Sequence, residues 1–389
     1  MTRRIYSRKG GDCGGNLIVK QLLFRNEWRM RECLFLSLCA ALISTAVSFA
    51  EEPAKPFALR DLSWYPAATG ESLPVRNADD WALRREAIVA GFEEAAGKLP
   101  SRESLPDFEL KVHEEVDEPK FVKQRISFAA EEADRITALL YLPKGDSSAV
   151  RRAAMVALHP THKIGKDVVD GLSQRPNRGY ARELADLGFV VVAPDYPSFG
   201  EQLDYDFSAD RYESGAMKAI WNHMRCVDLL VSRVEVDPNR IGAIGHSLGG
   251  HNAIFLGVFD ERVKAVVSSC GWTPFRDYKE GNISGWTSER YFPSLRDRYQ
   301  LNPDLVPFDF YGLVAALAPR AFFSNSPLYD SNFDYRGVEK AAPRVRRIYE
   351  LYDASDKLRI AYPNAEHDFP RVVREESFEF LRSHLGESD

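Results

Sequence analysis

Cysteine is scarce in this 389-residue chain: there are five, and three of them (Cys13, Cys33, Cys39) precede residue 51. The other two, Cys226 and Cys270, permit one disulfide and demand none, so no disulfide framework holds the fold. Their separation and flanks read as two buried thiols. No Walker loop and no G-x-G-x-x-G fingerprint occurs, so no nucleotide cofactor is indicated. His246 and His251 stand five apart without a convincing third ligand, so metal catalysis is not expected and the cofactor expectation is none. Internal repeats and long low-complexity runs are absent, which excludes collagen-like and coiled-coil architectures. Basic residues are in short supply. Beyond residue 50 there are 43 Lys and Arg against 54 Asp and Glu, a net charge of −11 within a whole-chain value of −6. A body that acidic is a poor polyanion binder, so no nucleic-acid partner is expected.

Long apolar runs are missing too. The longest, Leu34 to Val47 (LFLSLCAALISTAV), falls short of the about 20 residues a membrane span needs. Arg31 precedes it and Ser48-Phe49-Ala50 follows. A basic flank, a short apolar core and small residues before the cut predict a secretory signal peptide cleaved after Ala50, with Met30 as a possible true start. Thr2-Arg3-Arg4 lies too far upstream of that core to act as a twin-arginine signal. Cys39 sits in Leu-Ser-Leu-Cys, where a lipoprotein box wants a small residue at 38. The expectation is a secreted or periplasmic protein without a stable membrane anchor. Its oligomeric state is left open.

What the chain does have is an ordinary globular composition, 44% hydrophobic and 28% charged, with length enough to bury a core unaided. Asn77 followed by apolar residues at helical spacing predicts a helix that Leu99-Pro100 stops. Period-two stretches FELKVHEEV and VKQRISFAA, with ITALLYLP, predict antiparallel strands. Then strands at 155–160, 189–195, 240–247, 263–270, 320–326 and 358–363 alternate with helices. The expected fold class is α/β: a mostly parallel twisted sheet with helices on both faces. The predicted organisation is a leader over 1–50, a helical extension over 51–104 and a catalytic domain over 105–389. Residues 271–312 interrupt the alternation as an aromatic-rich cap insertion.

Gly245-His246-Ser247-Leu248-Gly249 matches G-x-S-x-G, placed where a buried strand ends and a helix begins. Small residues let the chain turn sharply and raise the serine over the sheet, and the helix aims its first amides at developing negative charge. A serine hydroxyl needs a base and an orienting acid. With the chain order Ser, acid, His, the base is His367, in the loop after the last strand; His251 follows the elbow too closely and His384 lies in the final helix. The acid belongs to PLYDSNFD, with Asp330 the first choice and Asp334 the second, the latter able to cap a helix instead. Asp368 reads as a surface or capping residue, and Asp195 as a shaper of the loop beside the site. The amides of Leu248 and Thr161 are the expected oxyanion donors, since Pro160 has no N–H.

LHPT, PDYPSFGE, DPNRIGAIGHSLGG, APRAFFSNSPLYDSNFD and AEHDFP together resemble the α/β-hydrolase superfamily. Within it they look most like the dienelactone-hydrolase-like and acetylxylan-esterase-like branch. The resemblance covers roughly residues 105–389. It implies ester hydrolysis through an acyl-enzyme, with Ser247 attacking, His367 shuttling the proton and Asp330 fixing the imidazole. Two departures stand out: dienelactone hydrolases proper use cysteine where this chain has serine, and the acid loop is one residue longer than the common G-x-x-D form.

The expected partner is therefore a small-molecule or carbohydrate ester. Trp272, Trp286 and Tyr291 of the insertion either stack on sugar rings or form the core of a cap. Arg290 either binds a sugar acid or makes a surface ion pair. Two other readings compete. A prolyl-oligopeptidase-like peptidase shares fold and triad order, but the chain has no room for a gating propeller. A non-catalytic binding protein on a hydrolase fold would usually have lost part of the triad.

Overall fold

The computed structural model describes residues 60–145 and 151–386, so the predicted signal peptide and leader lie outside the described residues. A hairpin of β1 (Trp64–Pro66) and β2 (Ser72–Pro74) precedes helix α1 (Ala78–Ala96). The Asn77 side chain caps α1 by accepting from the Asp80 amide, as the sequence signal requires. Strands β3 (Lys111–Asp117), β4 (Phe121–Glu131) and β5 (Asp134–Pro143) form an antiparallel meander. Then come β6 (Arg152–Leu158), α2 (Tyr180–Asp186), β7 (Val190–Pro194), α3 (Gly215–Val231), β8 (Val236–His246), α4 (Leu248–Phe259) and β9 (Val263–Ser269). The short helices α5 (Ser294–Asp297) and α6 (Phe310–Ala315) precede β10 (Ala321–Asn325), α7 (Tyr335–Glu350), β11 (Leu358–Ala361) and α8 (Arg371–Leu385).

Nine of these strands make one sheet in the order β11-β10-β9-β8-β6-β7-β5-β4-β3. From β7 to β11 every pairing is parallel; β5 joins β7 antiparallel and carries the meander outward. Alternation along β6 shows why both faces must be covered. Ala154, Val156 and Leu158 join a core shared with α1, α3, α4, α6 and α7, whereas Ala153, Met155 and Ala157 join a second core under α2 and α8. A strand apolar on both sides is stable only between two layers of helices.

The chain leaves β7 and crosses β6 to reach β8, so the strand order reverses beside β6. At such a switch point two loops at the carboxyl ends of the strands splay apart and leave a crevice. Ser247 follows β8 and Thr161 follows β6, which puts both at that crevice.

Residues 271–312 do not form a layer separate from this core. Trp272, Phe275, Trp286, Phe292, Phe308 and Phe310 are buried in the same cluster as Trp81 and Phe92 of α1. Phe92 packs edge-on against Phe255, Phe259 and Phe292. The stretch over 78–96, expected as part of a helical extension, thus supplies one wall of the aromatic core.

Candidate active site

The turn from β8 into α4 is built by steric exclusion. Ser247 takes φ 56° and ψ −116°, a conformation disfavoured for any residue with a Cβ. Closeness of the flanking backbone explains the glycines: a Cβ on Gly245 would run into the Gly249 carbonyl, and one on Gly249 into the Leu158 carbonyl. The Ser247 amide is anchored to the Ser269 carbonyl at 2.8 Å.

Three sequence-predicted residues meet here. Ser247 Oγ lies 2.9 Å from His367 Nε2, and His367 Nδ1 lies 2.9 Å from Asp330 Oδ2. The other carboxylate oxygen, Asp330 Oδ1, accepts from the amides of Asn332 (2.8 Å) and Phe333 (3.1 Å). Asp330 is buried, so these bonds fix its orientation. Asp334 goes elsewhere: it caps α7, accepting from the Arg336 amide at 2.9 Å. The structure therefore separates the two carboxylates that the sequence left as alternatives.

Leu248 and Thr161 both lie beside the serine. Among the described residues, neither backbone amide is engaged by another group. Thr161 and Ser247 line one cleft of about 300 Å³, together with Pro160, His162, Arg175 and His367.

Of the three aromatics considered for sugar stacking, two are corrected. Trp272 is buried and its indole Nε1 donates to Ser324 Oγ of β10 at 2.9 Å, so it holds the sheet rather than a ligand. Trp286 is buried among His251, Phe310 and Phe275. Tyr291 is half-buried, with its phenol against Thr161. Among the described residues Arg290 makes no ion pair: its Nε donates to Ser198 Oγ, and the guanidinium lies over Phe199.

Other contributors had no strong signal in the sequence. Asp368 is not a free surface group. It binds Arg178 and Asn177, while Arg178 also donates to the His367 carbonyl, so the loop carrying His367 is pinned on both sides. Burial pushes the Asp368 carboxyl upward, but those hydrogen bonds outweigh it and hold it below the usual range. Asn325 Nδ2 donates to the Asp368 carbonyl and to Ser269 Oγ, and Ser269 Oγ meets His246 Nδ1 at 2.9 Å. Burial, reinforced by Arg178, His367 and Arg175, keeps His246 well below the ordinary imidazole range and so neutral. Asp195, the residue after β7, is fully buried, paired with Lys166 at 2.6 Å and accepting from Thr137 Oγ1, which braces the loop beside the site. Cys226 and Cys270 are free, buried thiols; burial, then the charge of Asp330, raises Cys270 well above its usual range.

A nine-stranded α/β sheet with a strained serine at its switch point gives the chain the α/β-hydrolase fold. The comparisons agree with that fold, and the proteins to which the chain is similar include ester hydrolases. The family model described as "Glucuronyl esterase, fungi" matches residues 194–352. The Bacillus subtilis hydrolase YtaP is 25% identical over 226 residues, covering 56% of this chain and 73% of its own length. The 4-O-methyl-glucuronoyl methylesterase of Hypocrea jecorina is 28% identical over 160 residues; the match spans 36% of this chain and about a third (34%) of that protein. Among solved structures, the glucuronoyl esterase from Solibacter usitatus superposes with a TM-score of 0.63 at 21% identity, covering 86% of this chain and all (100%) of its own.

Proposed function

We propose that Ser247, His367 and Asp330 are the catalytic triad of an exported enzyme that hydrolyses carboxylic esters carried by carbohydrates. The observation that carries this reading is the continuous chain of contacts from Ser247 Oγ through both imidazole nitrogens to a buried carboxylate. His367 Nε2 takes the hydroxyl proton as Ser247 Oγ attacks the ester carbonyl. Asp330 accepts from Nδ1–H and stabilises the imidazolium that forms. The amides of Leu248 and Thr161 receive the oxyanion. Collapse of the intermediate expels the alcohol, which takes the proton from His367 and leaves an acyl-serine. Water, deprotonated by the same imidazole, then releases the acid and restores Ser247.

The glucuronoyl methylesterase relative and the matched family support a sugar-borne ester, as does the open cleft. Export rests on the apolar run and its flanks in the sequence. Among the described residues no helix is long and apolar enough to cross a membrane. A hydrolysis screen over methyl glucuronoyl esters, acetylated sugars, feruloyl esters and prolyl peptides, run beside Ser247→Ala, tests the reading. Turnover of sugar esters that disappears in the variant is expected. Turnover of prolyl peptides alone, or activity retained by Ser247→Ala, overturns it.

A further inference from the structure

The cleft beside Ser247 has a charge pattern opposite to that of the acidic chain around it. Its titratable lining groups are His162, Arg175, Arg178, His246 and His367, and no carboxylate lines it. Most of these are already committed. His367 serves the serine, His246 is buried and neutral, and Asp368 neutralises Arg178.

Arg175 is the exception. It is exposed, and among the described residues its guanidinium has no ion pair and no hydrogen-bond partner, although elsewhere the chain pairs arginines freely, as in Arg182 with Glu118 and Arg374 with Glu183. Its charge still reaches the reaction centre, because it is one of the groups that bear on His246, the neighbour of the nucleophile. Nothing in the acyl-transfer chemistry needs it: neither the triad nor the two amides touch Arg175. Its loop also presents Leu172, 63% exposed, three residues earlier in the chain. A planar guanidinium with all its donors free matches a carboxylate in charge and in two-point geometry.

Resting on the esterase reading, we propose that Arg175 is a specificity-determining residue that pairs with a free carboxylate on the substrate. The cleft then favours esters borne by acidic sugars over neutral esters with the same acyl group. Because Arg175 is exposed, the preference is modest and salt-sensitive, about five- to tenfold at low ionic strength.

The test uses 3-acetoxybenzoate and 3-acetoxybenzamide, which share a single ester and differ in whether a carboxylate or a neutral amide stands on the ring. The ratio of kcat/KM for the charged ester to that for the neutral one is measured in wild type, Arg175→Gln and Arg175→Lys. A ratio that falls about fivefold in Arg175→Gln, mostly through KM, recovers partly in Arg175→Lys and shrinks with added salt supports the proposal. Equal ratios in wild type and Arg175→Gln overturn it. Failure of the esterase reading looks different: neither compound is turned over faster by wild type than by Ser247→Ala. In that event calorimetric titration with galacturonate decides, since it needs no turnover. Weaker binding to Arg175→Gln than to wild type supports the pairing, and equal or absent binding overturns it.

Discussion

The ring of Phe333 lies nearly parallel to the His367 imidazole, 17° apart in plane with centroids 6.0 Å apart, while the Phe333 amide donates to Asp330 Oδ1. One residue thus touches His367 through its side chain and Asp330 through its backbone. The ring is itself fixed by Tyr278 and Trp286, so the aromatic core reaches the reacting groups through Phe333.

Phe333→Leu separates these two roles, because it keeps the amide and much of the apolar volume but removes the flat face. The imidazole gains freedom to rotate away from Ser247, and small displacements of a catalytic group are costly. The expected result is a fall in kcat of about ten- to a hundredfold with little change in KM. Unaltered kcat, measured alongside unchanged thermal unfolding, counts against any orienting role for the ring.

Asp330 and Asp334 should respond in opposite ways. Asp330→Asn keeps the shape but allows the wrong imidazole tautomer, and losses of about 10⁴ in kcat follow such changes in triads. Asp334→Ala removes a helix cap and should cost about 1 kcal/mol of stability, read in a denaturant titration, with kcat kept. The reverse pattern would reassign the acid.

Much of this site was legible because its signals are local or ordinal. Gly245 and Gly249 mark a turn in which no Cβ fits, and His367 follows the last strand, where chain order places a base. Period and length located the strands, although β8 begins at Val236 rather than near Arg240, because Val236-Asp237-Pro238-Asn239 reads as a turn and only pairing with β6 shows otherwise. What stayed hidden was the direction of side chains set by distant packing. Trp272 and Trp286 look like sugar platforms in a string of aromatics. Trp272 is buried against Ser324 and Phe322 of β10, and Trp286 against Phe292, which also meets Phe92 of α1, far earlier in the chain. Phe333 and Arg178 gave no signal, since each matters through a neighbour that folding brings near.

Gly249→Ala probes the elbow directly. The added methyl meets the Leu158 carbonyl of the adjacent strand, which cannot move without disturbing the sheet. Overpacking of this kind typically costs about 1–3 kcal/mol, and here it also displaces the helix that presents the Leu248 amide. Both a lower unfolding midpoint and a lower kcat are expected. A variant with normal activity would mean that the turn tolerates a wider path than its geometry implies.

Buried histidines set the acid limit of stability. His223 and His251 are each pushed down to about 3, chiefly by burial and then by a second buried imidazole, His159 acting on His223 and His223 on His251. In the unfolded chain both titrate near 6.5. Between about pH 3 and 6.5 the unfolded state therefore binds more protons than the native state, so stability rises with pH across that window and is lost as pH falls. Each such group contributes a slope of up to about 1.4 kcal/mol per pH unit. His251 sits among Phe255, Trp286, Tyr291 and Phe310 with neither ring nitrogen hydrogen-bonded, so His251→Phe puts another aromatic ring in the same place. Urea titrations of the variant between pH 4 and 6 should show the slope reduced by about one proton, with stability at pH 7.5 held or raised. An unchanged slope would mean that His251 is not held neutral by this core, and that other groups carry the acid sensitivity.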